Sequence, residues 1–124
     1  MSELQDFDAA HMDVAQIDSL VAAAGPDGAR EILEAFWSST TSLLQSLEKE
    51  LHDAAFDIAA QTAHAVKGSA ANVGANRLSK RVAMIEIACR EGNHQHALDS
   101  LPSASKDFEE FKVCFDEHIS SQQA

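Results

Sequence analysis

A histidine followed three residues later by a lysine and four residues later by a glycine is a compact chemical group, and here it is His64, Lys67 and Gly68. On a helix, residues three and four apart are neighbours one turn away. An imidazole is a nucleophile that can carry a transferred group. A cation one turn off can neutralise an anion held on that ring. A glycine inside a helix costs about 1 kcal/mol relative to alanine, so some other gain should offset it. Stripping the side chain beside the imidazole clears room for a second molecule to approach. The three together suit a phosphoryl group passing through His64. A solvated histidine beside an incidental glycine is the competing reading, and spacing alone leaves it open.

The element that must position these residues is a helix over about 55–73, ending at Gly74, a natural left-handed stop. At ~100° per residue, Ala55, Ala59, Thr62, Ala63, Val66, Ala70 and Val73 gather on one face, which is the expected core side. Opposite fall Asp57, Ala60, Gln61, His64, Gly68 and Ala71, with Lys67 and Asn72 on the flanks. His64 is therefore expected near the surface of a rigid helix. Ala60, Ala71 and Gly68 around it would make a flat patch for a docking partner. Ser69 falls nearer the core side, where a helix–helix or backbone hydrogen bond is as good a role as contact with an anion. Gln61, one turn before His64, and Glu86 and Arg90 on the next helix are candidates for the rim. For Glu86 and Arg90, solvated surface residues are the simpler reading.

The rest of the chain supplies further helices. It is rich in alanine and carries only two prolines, five glycines and no tyrosine, which favours helix over sheet. Asp13 with Gln16 reads as a capping pair opening a short helix over about 13–24. Gly25-Pro26 then opens the longest helix, running to about Asp53 along Leu33, Phe36, Trp37, Thr40, Leu43, Leu44, Leu47 and Leu51. A helix over about 76–91 carries Leu78, Val82, Ile85 and Cys89 on one side and stops at Gly92-Asn93. A short piece over about 94–100 leads to Pro102, and a last helix over about 103–120 presents Phe108, Phe111, Phe115, His118 and Ile119. The expected architecture is all-α: an up-down-up-down four-helix bundle over 13–120 with an additional short N-terminal helix. Residues 1–12 and 121–124 are expected to be flexible ends.

Composition narrows the partners. The 124 residues hold 20 acidic and 9 basic side chains, a net charge of −11. That repels phosphate backbones and anionic lipid, so neither nucleic acid nor membrane is an expected partner. No apolar run approaches the ~18–20 residues of a membrane span. The acidic N-terminus has no basic n-region, so no signal peptide is expected. Cys89 and Cys114 lack metal-type or disulfide-framework spacing, which suits a reducing cytoplasm.

The run His64-Ala65-Val66-Lys67-Gly68-Ser69, followed by Val73-Gly74-Ala75 and Leu78, resembles the signature of histidine-containing phosphotransfer (HPt) domains. That signature is His-x-hydrophobic-Lys-Gly-Ser/Ala, then hydrophobic-Gly-Ala and a downstream Leu. Ile85-Glu86 matches the hydrophobic–Glu pair usual on the following helix, and the motif covers residues 64–86. Ala70 replaces a frequent second serine, and Val82 stands where cysteine is common. The resemblance implies a stoichiometric carrier of phosphate between receiver-domain aspartates, without ATP binding or autokinase activity. It implies His64 as phosphoacceptor, at Nε2, Lys67 as neutralising cation and Gly68 as the point of partner access. It also implies no cofactor of its own, with Mg²⁺ coming from the receiver domain, and receiver domains and a hybrid sensor histidine kinase as partners. A monomer is expected from the net charge and the single exposed acceptor.

Other readings share some of these residues. Sensor-kinase dimerisation domains also phosphorylate a bundle histidine, but they usually place an acid directly after it and a proline soon after. Here Ala65 follows His64, and no proline appears before Pro102. A chemotaxis-type phosphoacceptor domain is closer in motif, although its further domains do not follow in this chain. A receiver-binding adaptor with a vestigial His64 would keep the fold and lose the chemistry. A metal or haem bundle is disfavoured because the six histidines are scattered. His94 and His96 would not share a helix face, and Glu91-x-x-His94 is interrupted by Gly92 and Asn93.

Overall fold

The computed structural model describes residues 10–123. The described residues form four helices and no strand: α1 (Val14–His52), α2 (Phe56–Asn72), α3 (Asn76–Arg90) and α4 (His94–Gln123). Three residues join each helix to the next. Successive helices pack together, the α2–α3 pairing most extensively, and α1 also packs on α4. Among the described residues, no helix is long and apolar enough to cross a membrane.

The two helices expected over 13–24 and 26–53 form one 39-residue element with non-helical backbone at Gly25 (φ 79°, ψ 165°). The Asp13 carboxylate accepts the Gln16 amide at 3.1 Å, as the capping pair requires. Gly25 supplies the positive φ, and Pro26, which has no N–H to satisfy, restarts the helix without loss. The two segments stay close across the break, since a Cβ on Gly28 would lie 2.9 Å from the Ala24 Cβ.

Pro102 does not end a helix, contrary to expectation: α4 runs through it from His94 to Gln123. An internal proline costs about 3 kcal/mol. Pro102 itself is exposed, while Ala97, Leu101, Ala104 and Phe108 form a buried stripe on both sides of it. Burial of that continuous stripe outweighs the missing hydrogen bond. The helix also passes Ser120, and Gln122 donates to the Asp18 carboxylate at 2.7 Å. His118 Nε2 lies 2.8 Å from the same oxygen, so the end of α4 is tied to the start of α1. Of the expected flexible N-terminus, residues 1–9 lie outside the described residues. Met12 is buried, His11 lies 3.2 Å from Glu110, and the Asp13 amide donates to the Gly74 carbonyl at 2.8 Å.

Gly74 (φ 81°) and Gly92 (φ 79°) end α2 and α3 in the left-handed conformation, where the sequence places them. The core is built from Ile17, Leu33, Leu47, Leu51, Val66, Leu78, Val82, Ile85, Phe111, Phe115 and Ile119, all essentially inaccessible to solvent. Between α1 and α4, Phe36 and Trp37 meet Phe108, Phe111 and Phe115 edge to face.

Candidate functional site

The site is a cluster on α2 and α3 around one carboxylate. His64 projects from the middle of α2 with its side chain 62% exposed. Its Nδ1 lies 3.2 Å from both oxygens of Glu86 on α3. Lys67 Nζ is 3.2 Å from Oε1 of the same carboxylate, and Arg90 Nε is 3.1 Å from Oε2. Glu86 is itself buried. Burial alone pushes its pKa up. The hydrogen bonds from Lys67, His64 and Arg90, with the charge of Lys67, outweigh that and hold it below the ordinary carboxylate value.

The protonation pattern of the imidazole follows. An ionised carboxylate only accepts hydrogen bonds, so Nδ1–H donates to Glu86. In the neutral ring the lone pair then sits on Nε2, at the edge turned away from Glu86. The exposed nitrogen is thus the nucleophilic one, and the ring is fixed by its other nitrogen, as a basic imidazole is often oriented.

Gly68 lies one turn on, exposed, with helical backbone. A Cβ built there would meet nothing within 4 Å. No internal packing contact therefore requires glycine here, and what the missing side chain provides is open space beside His64. The helix under the site is held at two further points. Ser79 Oγ donates to the Lys67 carbonyl at 3.2 Å, fixing α3 to α2 within a turn of His64. Gln16 Nε2 donates to the carbonyls of Ala71 (3.0 Å) and Asn72 (2.9 Å), satisfying acceptors that a helix C-terminus leaves unpaired.

The structure places most sequence-derived candidates where they were expected. Asp57, Gln61, His64, Gly68 and Ala71 are exposed along one face of α2, Lys67 is partly covered at its flank, and Ser69 is half-buried. Ala60 is a correction. It is 1% exposed and belongs to the core, not to a docking patch. On the wheel it lies about 40° from His64 on the same side as Lys67. That side faces α3, as the Lys67–Glu86 and Ser79–Lys67 contacts show. Glu86 is a second correction: instead of a solvated rim residue it is the buried carboxylate that gathers His64, Lys67 and Arg90. Its pairing with Arg90 follows from their spacing of four, and the Ile85-Glu86 match to the family signature marks the position, but its contacts with His64 and Lys67 have no local signal.

Of the histidines weighed as metal ligands, His94 stacks on Phe56 with ring centroids 3.5 Å apart. A mixed group of His11, Asp107 and Glu110 has donor atoms within 4.8 Å of one another. Its most buried member, Asp107, is engaged by Arg81 at 2.8 Å.

The helical fold and the His64–Lys67–Gly68 cluster beside Glu86 are what the resemblance to histidine-containing phosphotransfer domains implies. The Hpt domain model matches residues 31–119, and the chain belongs to the Hpt domain family. It is similar to the crystal structure of histidine-containing phosphotransfer protein B (HptB) from Pseudomonas aeruginosa PAO1, with a TM-score of 0.83 and 25% identity over 91% of this chain and 97% of that one. A rice protein provisionally described as a histidine-containing phosphotransfer protein shares the fold, with a TM-score of 0.78 and 21% identity over 98% of this chain and 87% of that one. No curated protein matches the chain. Hpt proteins act in His–Asp phosphorelays with histidine kinases and receiver domains, as phosphocarriers rather than enzymes, and this chain is a histidine phosphotransfer protein.

Proposed function

We propose that His64 takes a phosphoryl group at Nε2 from the aspartyl phosphate of one receiver domain and returns it to the aspartate of another. The Nε2 lone pair attacks phosphorus, the aspartyl O–P bond breaks, and the phosphoryl group rests on the imidazole until the reverse attack. The supporting observation is the pairing of His64 Nδ1 with the lowered-pKa carboxylate of Glu86, which leaves Nε2 as the exposed nucleophile. Phosphoryl transfer needs mainly positioning and charge neutralisation. Lys67 supplies the cation, swinging its Nζ from Glu86 to the bound phosphoryl group. Gly68 admits the partner's aspartyl pocket, with Gln61 and Ala71 at the rim and Ser69 supporting from the core side. Arg90 keeps Glu86 neutralised when Lys67 leaves it. The receiver domain supplies Mg²⁺. The four helices run up-down-up-down, and the protein acts in the cytoplasm as a monomeric stoichiometric carrier that binds no ATP.

Incubation with a panel of phosphorylated receiver domains should give acid-labile, alkali-stable label on the wild type and none on His64→Gln. Failure of every receiver to label the wild type would sink the carrier reading, and equal labelling of the variant would sink the site.

A further inference from the structure

The charge of this molecule is divided unevenly. The 15 residues of α3 carry four basic side chains and one acidic one, so the net −11 of the chain separates into +3 on α3 and −14 on the rest. The exposed side of α3 is also ordered. At ~100° per residue, Asn76, Lys80, Ala83, Ile87 and Arg90 lie within a single narrow stripe. Lys80, Ile87 and Arg90 are exposed, with Asn76 and Ala83 partly so. No carboxylate lies on this stripe, whereas the exposed residues of α1 and α4 include Glu31, Glu34, Glu48, Glu109, Asp116 and Glu117. Ile87 keeps 52% of its surface in water, with a cation one to two turns away on either side. The stripe adjoins the phosphoacceptor, since Arg90 and His64 contact the same Glu86 carboxylate.

We infer that this face of α3, Lys80–Ala83–Ile87–Arg90, is a partner-selecting surface that docks a protein patch with an apolar centre and a carboxylate rim. The inference rests on the carrier reading and adds what that reading leaves open, namely which receivers are accepted. Charge complementarity carries it. An acidic patch is attracted by α3 and repelled by the remainder of the molecule, so approach is oriented with α3 and His64 foremost. Lys80 to Arg90 spans about 15 Å of helix, enough to hold one helix or loop of a partner. A nucleic acid fits poorly: the stripe centres on an isoleucine, and the whole chain is strongly anionic.

The test compares Lys80→Glu and Ile87→Asp with Lys106→Glu, an exposed position on α4 that makes the same change in net charge as Lys80→Glu. Each is labelled by phosphoramidate, which needs no docking, and by a panel of phosphorylated receivers at low and at high salt. Labelling by phosphoramidate should match wild type in all three. Transfer from accepted receivers should fall about tenfold in Lys80→Glu and Ile87→Asp at low salt, and stay within about twofold in Lys106→Glu. Wild-type transfer should itself slow as salt rises, the Debye length shrinking to about 8 Å at 0.15 M. Equal loss in Lys106→Glu and Lys80→Glu would make the effect one of net charge, and unchanged transfer in Lys80→Glu and Ile87→Asp would remove the surface; either overturns the inference alone. A wild type labelled by phosphoramidate but by no receiver overturns the carrier reading and the inference together.

Discussion

The α1–α4 side and the α2–α3 side of this molecule are packed by opposite means. Between α1 and α4 the contacts are aromatic: Phe36 and Trp37 meet Phe108, Phe111 and Phe115 edge to face at centroid separations of 5.5–6.1 Å. The buried face of α2 is mostly alanine: Ala59, Ala60, Ala63 and Ala70, with Val66 as the larger exception. Large rings bury much apolar area and add roughly 0.5–1.5 kcal/mol per pair in favourable geometry. Alanines bury little, but they let helix backbones approach closely and leave few side-chain rotamers to move. The first arrangement suits holding the fold together. The second suits holding a short polar network, His64–Glu86–Lys67, in register. The comparison teaches that stability and chemistry are supported by different residues, so they should be separable by mutation.

Phe111→Ala is the most disruptive test on the aromatic side. Phe111 is fully buried and stacks edge to face with both Phe36 and Trp37. The expected loss is about 3–5 kcal/mol, read from urea denaturation. Transfer by the folded fraction should stay within about twofold of wild type. A folded Phe111→Ala protein that has lost transfer would break the division between the two sides.

Gly68→Gln should do the reverse. The added side chain meets open space in the free protein and raises helix propensity by up to about 1 kcal/mol, so the denaturation midpoint should hold or rise. Receiver-dependent labelling should fall about a hundredfold, because small misplacements at a reacting centre cost that much. Retained transfer would mean that partners dock elsewhere.

What the sequence could disclose follows the same line. The His64, Gly68, Gln61 and Ala71 face lies within one helix, and a period of ~3.6 residues fixes relative angles inside a helix. The period does not say which neighbour covers which angle. The period alone thus puts Ala60 at the surface, yet it is buried. Glu86 lies on a different helix from His64, and their meeting depends on the packing of α2 on α3, which no local spacing encodes. Pro102 failed for a related reason. Its local preference is to stop a helix, and the buried stripe from Ala97 to Phe108 overrules that preference through contacts far away in sequence.

Glu86→Gln probes the smallest effect, and it acts on both properties at once. Glutamine keeps the shape but leaves Lys67 and Arg90 without a counter-charge, and its amide can donate to Nδ1 as readily as accept from it. The fixed tautomer is lost, so transfer should slow about tenfold or more, as when the second partner of a functional histidine is removed. At neutral pH the variant should also be less stable by about 1.5–3 kcal/mol, the range for hydrogen bonds to charged groups. The pH dependence gives the sharper check. The pKa of Glu86 is lowered in the folded protein from an ordinary 4.5. Between those two values the unfolded chain binds more protons, so this contribution to stability is complete above about pH 4.5 and is lost as pH falls through the folded value. Wild type and Glu86→Gln should therefore differ most near neutral pH and converge in acid. A stability difference that stayed constant from pH 7 down to pH 3 would show that Glu86 stabilises by shape and not by charge, and the small-residue side would then hold its histidine by packing alone.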